Sequence, residues 1–279
     1  TLVAAGSFDM KATRRDEASV IPHGVDHIKE HAATFEPEAN TVRTKEGNAY
    51  TYGHLIVASG IQMNIDDLPG LREALQTDVV CSNYLDPEKT HRVMKNFKGG
   101  VAVFTQPSTP IRCGGAPQKA VYLADEFFRK SGVREKTKLV FATPGSVIFG
   151  VQPFRAALED VLRKKEIIFK AFYNPVRIDP VKQEIHFKWS KPGDNHCVLT
   201  EEQGLPEKIE GESTIVMKYD MLHLAPPQSA PDFVRHSPLA YADGPNKGWL
   251  EVDINTLQHK RYANIFGLGD SAALPTAKT

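Results

Sequence analysis

Cysteine is scarce in this sequence. Cys81, Cys113 and Cys197 are the three cysteines in 279 residues, too few and too scattered for a disulfide scaffold or a zinc site. No His-x-x-His or His/Cys cluster suggests a metal. Net charge is missing as well: 34 Lys and Arg balance 34 Asp and Glu, which argues against a nucleic-acid footprint. No apolar run approaches the ~18 residues of a membrane-spanning helix. The N-terminus lacks the charged, apolar and small-residue order of a signal peptide. It also lacks a Met: the chain opens Thr1-Leu2-Val3 and stops at Thr279, soon after a Gly-Asp-Ser stretch expected to lead into a helix. The expectation is a fragment of a longer protein.

What is present is ordinary globular material. Apolar residues make up 41% and charged residues 24%, which excludes disorder, collagen-like repeats and coiled coils. At ~100–200 residues per domain, the length suggests two domains.

The pattern along the chain points to an α/β fold with parallel sheets. Thr41 to Arg43 and Tyr50 to Tyr52 read as a hairpin. Leu55-Ile56-Val57-Ala58 is a continuous apolar run ending in Ser59-Gly60, as in a strand buried on both faces. Residues 61–98 read as a connector with helical pieces. Val101 to Phe104 form a second buried strand. Ala120, Val121, Leu123, Ala124, Phe127 and Phe128 then recur at helical spacing, with Pro117 in the first turn and Gly132 at the end. A strand (139–142), a helix (154–162) and a strand (167–172) follow, so the alternation is βαβ. Residues 176–178, 185–189 and 214–217 look like antiparallel strands added to that sheet, and 190–212 like a polar loop. Tyr52 to Ala58 also echoes Tyr219 to Ala225. Either any two buried strands share such residues, or two dinucleotide-domain-like halves close with the same device.

Three stretches carry chemistry. Ala58-Ser59-Gly60 ends a strand in small residues, which lets backbone approach a flat cofactor or its phosphates. Gly267-Leu268-Gly269-Asp270 offers a carboxylate to a hydroxyl chain; alternatively, Asp270 only caps a helix. The third stretch, 107–119, follows strand 101–104, where an NAD-binding domain carries its glycine-rich turn. Here Thr105-Gln106-Pro107 stands instead, so nicotinamide is an unexpected partner. Cys113 precedes the helix, beside Arg112. Helix amides and a cation both favour a thiolate, so Cys113 is either a nucleophile or a structural cysteine. His223 and His54 read as core residues, Asp125 and Glu126 as solvent-exposed.

The first two stretches together resemble the second and third flavin signatures of two-dinucleotide-binding-domain flavoproteins. The Gly-x-Gly-x-x-Gly signature lies upstream in that family. More specifically, Cys113-Gly114-Gly115-Ala116-Pro117-Gln118-Lys119, Met221-Leu222-His223 with Pro226-Pro227, Thr256-Leu257-Gln258-His259, and Leu274-Pro275-Thr276 with Lys278-Thr279 resemble the sulfide:quinone oxidoreductases, of the mitochondrial type and its bacterial relatives. The resemblance implies two Rossmann-like domains: a flavin domain in two incomplete parts (1–97 and 231–279) around an inserted NAD-binding-like domain (98–230).

The same resemblance implies FAD as cofactor, held by Ala58, Ser59, Gly60, Gly267, Gly269, Asp270 and Lys278. It implies sulfide and a membrane quinone (ubiquinone or menaquinone) as partners, with a small thiol or sulfite as sulfur acceptor. Cys113 would be one redox cysteine. The family's second follows the Gly-Asp motif, where this chain has Ser271. Its hydroxyl cannot form a disulfide or carry a persulfide. Cys81 either compensates, as its 32-residue spacing from Cys113 resembles that of three-cysteine bacterial members, or is a buried structural thiol. Cys197 reads as incidental. Ser271 leaves two alternatives standing: a paralogue acting as another FAD-dependent quinone or NAD(P)H reductase, and a flavin-binding protein without turnover. The implied location is peripheral to a membrane, the mitochondrial inner membrane in a eukaryote or the plasma membrane in a bacterium, through residues beyond Thr279.

Overall fold

A computed structural model describes residues 1–194, 204–275 and 278. The chain divides into two compact units. One comprises residues 1–12, 64–109 and 115–227; the other comprises 13–63, 110–114 and 228–279.

The first unit has three layers. Its centre is a five-stranded parallel sheet in the spatial order Val80–Cys81, Met221–His223, Gly100–Thr105, Thr137–Thr143, Ile168–Ala171. Strand Gly100–Thr105 feeds helix Ala116–Lys130 and then Thr137–Thr143; helix Phe154–Lys164 leads on to Ile168–Ala171. This is the βαβαβ alternation expected from the sequence. Helices form where the apolar residues recur at 3.6 spacing, with Pro117 in the first turn of its helix. Val93, Met94, Val121, Ala124, Phe128 and Leu162 from the helices pack on Ala102, Phe104, Leu139 and Phe141.

The other face of the sheet is closed by a second sheet. Tyr173–Asp179, Glu184–Trp189, Thr214–Lys218 and Glu207–Glu210 form an antiparallel layer of their own instead of extending the parallel sheet. Its residues Ile178, Ile185, Phe187, Ile215 and Met217 face Val103, Val140 and Leu222. The expected polar loop thus contains a strand, Glu207–Glu210. Glu207 is there because it meets buried Lys170 at 3.0 Å. Cys197 lies outside the described residues.

Residues 64–97 belong to this compact unit. They supply the edge strand Val80–Cys81 and helix Pro87–Asn96. Asp86 caps that helix by accepting from the Lys89 N–H at 2.7 Å, and Pro87 fills its first turn.

Asp125 is fully buried, contrary to the exposure expected from a helical carboxylate. Three cations meet it: Arg134 at 2.7 Å, Lys165 at 2.7 Å and Arg129 at 3.1 Å. Burial alone would raise its pKa; the hydrogen bonds from Lys165, Arg134 and Arg129 outweigh it and hold the carboxyl below its usual range. His223 is buried as expected. Its ring stacks on Phe104, 5.1 Å between centroids, and Nε2 accepts from the Asn83 N–H at 3.1 Å. His54, by contrast, is exposed.

Two stability predictions follow from these buried groups. Asp125→Ala strands the Arg134 guanidinium in the core, and a urea titration should show a loss of about 3–5 kcal/mol. Burial lowers the His223 pKa from 6.5 to about 4. Between those values the unfolded chain binds the extra proton, so stability rises with pH. At about 1.4 kcal/mol per unit, acidification across this window should cost up to about 3 kcal/mol. A His223→Gln variant should lack this part of the slope; equal slopes in both proteins would refute the assignment.

Candidate functional site

The second unit gathers most of the residues singled out in the sequence. Leu55–Val57 pairs in parallel with Ile265–Gly267, Leu55 opposite Ile265 and Val57 opposite Gly267. The Leu268 N–H continues the ladder to the Val57 carbonyl at 3.0 Å. Val57 and Ile265 pack with Trp249, Leu250, Val252 and Ala272. Among the described residues this sheet has two strands, and Ile56 is 61% exposed in it, where the apolar run suggested cover on both faces.

Parallel strands release their following loops at the same end. Ala58-Ser59-Gly60 and Leu268-Gly269-Asp270 therefore emerge side by side. Ala58 and Ser59 are exposed. Gly60 and Gly269 have φ of +68° and +67°, and no atom within 4 Å would obstruct a β-carbon on either. That open backbone suits close approach of a flat ligand. Gly267 differs. A β-carbon there would lie 2.3 Å from Leu250 Cδ2 and 2.7 Å from Val252 Cγ1. Packing therefore favours glycine here, since an added β-carbon would push on both side chains.

After Gly269 the chain makes a single 3₁₀ turn, Gly269–Ser271, in place of the expected helix. It then runs extended, bridging Ala272 to Leu250. Asp270 is half-buried. Ser271 is wholly buried, and among the described residues its Oγ has no hydrogen-bond partner. An unmet buried hydroxyl costs roughly 1–3 kcal/mol.

Cys113 lies in this unit too, half-buried. Its φ of +59° puts a side-chain-bearing residue in the left-handed region, a conformation costing of order 1–3 kcal/mol. Its N–H donates to the Lys278 carbonyl at 2.8 Å, and the Arg112 N–H donates to Gln228 Oε1 at 2.8 Å. Lys278 Nζ donates to the Ala272 carbonyl at 3.1 Å and lies 3.8 Å from the centre of the Trp249 ring. Burial lowers the Lys278 pKa, and the charge of Asp270 partly opposes it. Trp249 was missed in the sequence; its only signal there was rarity, as one of two tryptophans.

Cys81 belongs to the first unit, in strand Val80–Cys81. It is wholly buried, and burial pushes its thiol up to about 12. Of the two readings left open in the sequence, this environment favours the structural thiol. The segment after strand Gly100–Thr105 makes no tight turn into a helix. The Gln106 N–H is occupied by the Ala142 carbonyl at 3.1 Å, and the next helix starts only at Ala116. A pyrophosphate cradle needs free amides at that turn.

The two classes of glycine separate by substitution. Gly267→Ala should destabilise by about 1–3 kcal/mol through overpacking. Gly269→Ala meets no atom and should cost about 1 kcal/mol through its positive φ alone. Denaturant midpoints of both variants check this ordering.

No family model matches the chain. Curated relatives do. It is 39% identical to the mitochondrial sulfide:quinone oxidoreductase of Mus musculus over 282 aligned residues, covering 100% of this chain and 58% of that protein. It is 36% identical to the Dictyostelium discoideum enzyme of the same name, covering 100% of this chain and 57% of the relative. Among solved structures, the sulfide:quinone oxidoreductase of Aquifex aeolicus superposes with a TM-score of 0.74 at 20% identity, over 98% of this chain and 59% of the other. NDH2 of Plasmodium falciparum superposes with a TM-score of 0.64 at 13% identity, over 98% of this chain and 56% of the other. The fold is therefore that of these flavoproteins. Over its whole length the chain is homologous to the sulfide:quinone oxidoreductase family, and it spans a little under three-fifths of the relatives it matches.

Proposed function

We propose that this chain is part of an FAD-dependent flavoprotein that oxidises sulfide to a protein-bound persulfide or polysulfide and passes two electrons to a membrane quinone. One observation carries the reading. The two loops with the expected flavin signatures leave one end of one parallel strand pair, in the same unit as Cys113.

Ala58, Ser59 and Gly60 on one loop, with Gly269 and Asp270 on the other, would hold FAD. The open backbone at Gly60 and Gly269 admits ring or phosphate atoms closely. Asp270 would accept from hydroxyls, and Lys278 offers a partly desolvated cation. FAD, when bound, supplies the two-electron acceptor. The chain's own part is to present the Cys113 sulfur in a fixed direction.

Hydrosulfide is a nucleophile, so it attacks sulfur that is already bonded to another sulfur. Ser271 cannot be that second sulfur. Cys81 serves only if it leaves the environment that now holds it as a thiol. A small thiol bound through sulfur to Cys113 meets the same need: hydrosulfide displaces it as the free thiol and leaves a persulfide on Cys113, a thiol or sulfite takes the outer sulfur, and re-forming the mixed disulfide from Cys113 and the released thiol gives up the two electrons that FAD would accept. Ser271 also favours a second reading, a paralogue that reduces quinone from another donor or binds flavin without turnover. Among the described residues no helix is long and apolar enough to cross a membrane, and the relatives' names support a mitochondrial location.

Anaerobic addition of sulfide to the full-length protein tests the proposal. Flavin absorbance should bleach and return on adding quinone, and Cys113→Ser should abolish both steps. Ser271→Cys should raise turnover by at least about tenfold, equivalent to some 1.4 kcal/mol of barrier. An unbleached flavin at millimolar sulfide refutes sulfide oxidation.

A further inference from the structure

Backbone strain at a cysteine persists only where the surroundings hold it. At Cys113 two hydrogen bonds do so. The Arg112 N–H is taken by Gln228, and the Cys113 N–H by the Lys278 carbonyl at 2.8 Å. Residues 112 and 278 also form a parallel bridge. The Lys278 carbonyl can serve as an anchor only if Lys278 is itself fixed, and its side chain fixes it. Nζ reaches the Ala272 carbonyl at 3.1 Å while lying over the Trp249 ring at 3.8 Å. Ala272 directly follows Ser271, and the Ser271 carbonyl is bonded in turn by the Leu250 N–H at 3.0 Å. Lys278 thus joins two segments by two chemically different ends. Its carbonyl grips the cysteine, and its ammonium grips the turn after Gly-Asp.

We propose that Lys278 is the positioning residue of Cys113: its ammonium, seated on Trp249 and Ala272, holds the carbonyl that keeps Cys113 in its left-handed conformation. The role rests on Cys113 being the redox sulfur, and it is separate from any contact of Lys278 with a cofactor. It also explains why a lysine half-buried among apolar groups stands beside Trp249: the ring face and the carbonyl replace part of the water that the ammonium gives up.

Amide hydrogen exchange in the full-length protein reads the clamp directly, because the Cys113 amide is one of its bonds. In Lys278→Met the exchange of that amide should accelerate about tenfold, the worth of one ordinary hydrogen bond. Iodoacetamide labelling of Cys113, followed by peptide mass spectrometry, should quicken with it. Lys278→Arg keeps a cation for the ring and a donor for the carbonyl, and should stay within about twofold of the parent. Amides of the core strand Gly100–Thr105 should be unchanged in all variants. If Lys278→Met does not fold, Trp249→Leu removes the ring alone and should loosen the Cys113 amide in the same direction. Unchanged exchange and labelling at Cys113 in Lys278→Met would overturn the proposal, as would failure of Lys278→Arg to preserve them. Neither measurement uses sulfide, so a wild-type flavin that ignores sulfide would overturn the redox reading and leave the clamp to be judged on exchange alone.

Discussion

The candidate site depends on one backbone register, Leu55 opposite Ile265 and Val57 opposite Gly267. Side chains alternate along a strand, so a slip of one residue would turn Val57 and Ile265 out of their core and Gly267 away from Leu250 and Val252. The fit at Gly267 is tight enough that a β-carbon would have to push aside Leu250 and Val252. The register therefore has a steric lock at its C-terminal end, next to the loops it positions. Once it is set, the direction of both loops follows from parallel pairing, with no side-chain contact between them required.

The layered unit was largely legible in the sequence because its signals are periodic. A run such as Val101 to Phe104 reads as a doubly covered strand, and Ala120, Val121, Ala124 and Phe128 mark one helix face. Periodicity does not report neighbours, and there the reading went astray. Ile56 sits in as apolar a run as Val103, yet among the described residues its sheet has two strands and it is exposed. Asp125 has the sequence context of an exposed helical carboxylate. Only the fold brings Arg134 and Lys165 to join Arg129, its neighbour one helical turn on. The four antiparallel strands were nearly all visible, but whether they extend a sheet or cover it is decided by which face of it is apolar.

The site was legible in its motifs and opaque in its geometry. Short strands ending in Ser-Gly and Gly-Asp marked the two loops, and a cysteine followed by two glycines marked the third segment. No spacing rule places a cysteine at positive φ, because that conformation is imposed by bonds from Gln228 and Lys278, far away in the chain. Gly267, which the resemblance places at the flavin, also packs closely against Leu250 and Val252. The resemblance implies a sulfur at Ser271; in the fold Ser271 is a wholly buried hydroxyl without a hydrogen-bond partner among the described residues.

The strand pair has a further consequence for how the chain is made. Asn264, at the foot of the second strand, donates to the carbonyl of Gly53, 211 positions earlier. Closing so long a loop costs little extra entropy, about 0.6 kcal/mol for each doubling of length. Its timing is another matter. A chain leaving the ribosome from its N-terminus exposes Leu55–Val57 long before Ile265 has been translated. Most of the layered unit, residues 64–227, emerges in between and can fold on contacts of its own. Through that interval Leu55–Val57 is without the strand that it pairs with in the finished fold, Ile265–Gly267. The segment that organises the candidate site is thus also the one that waits longest for its partner.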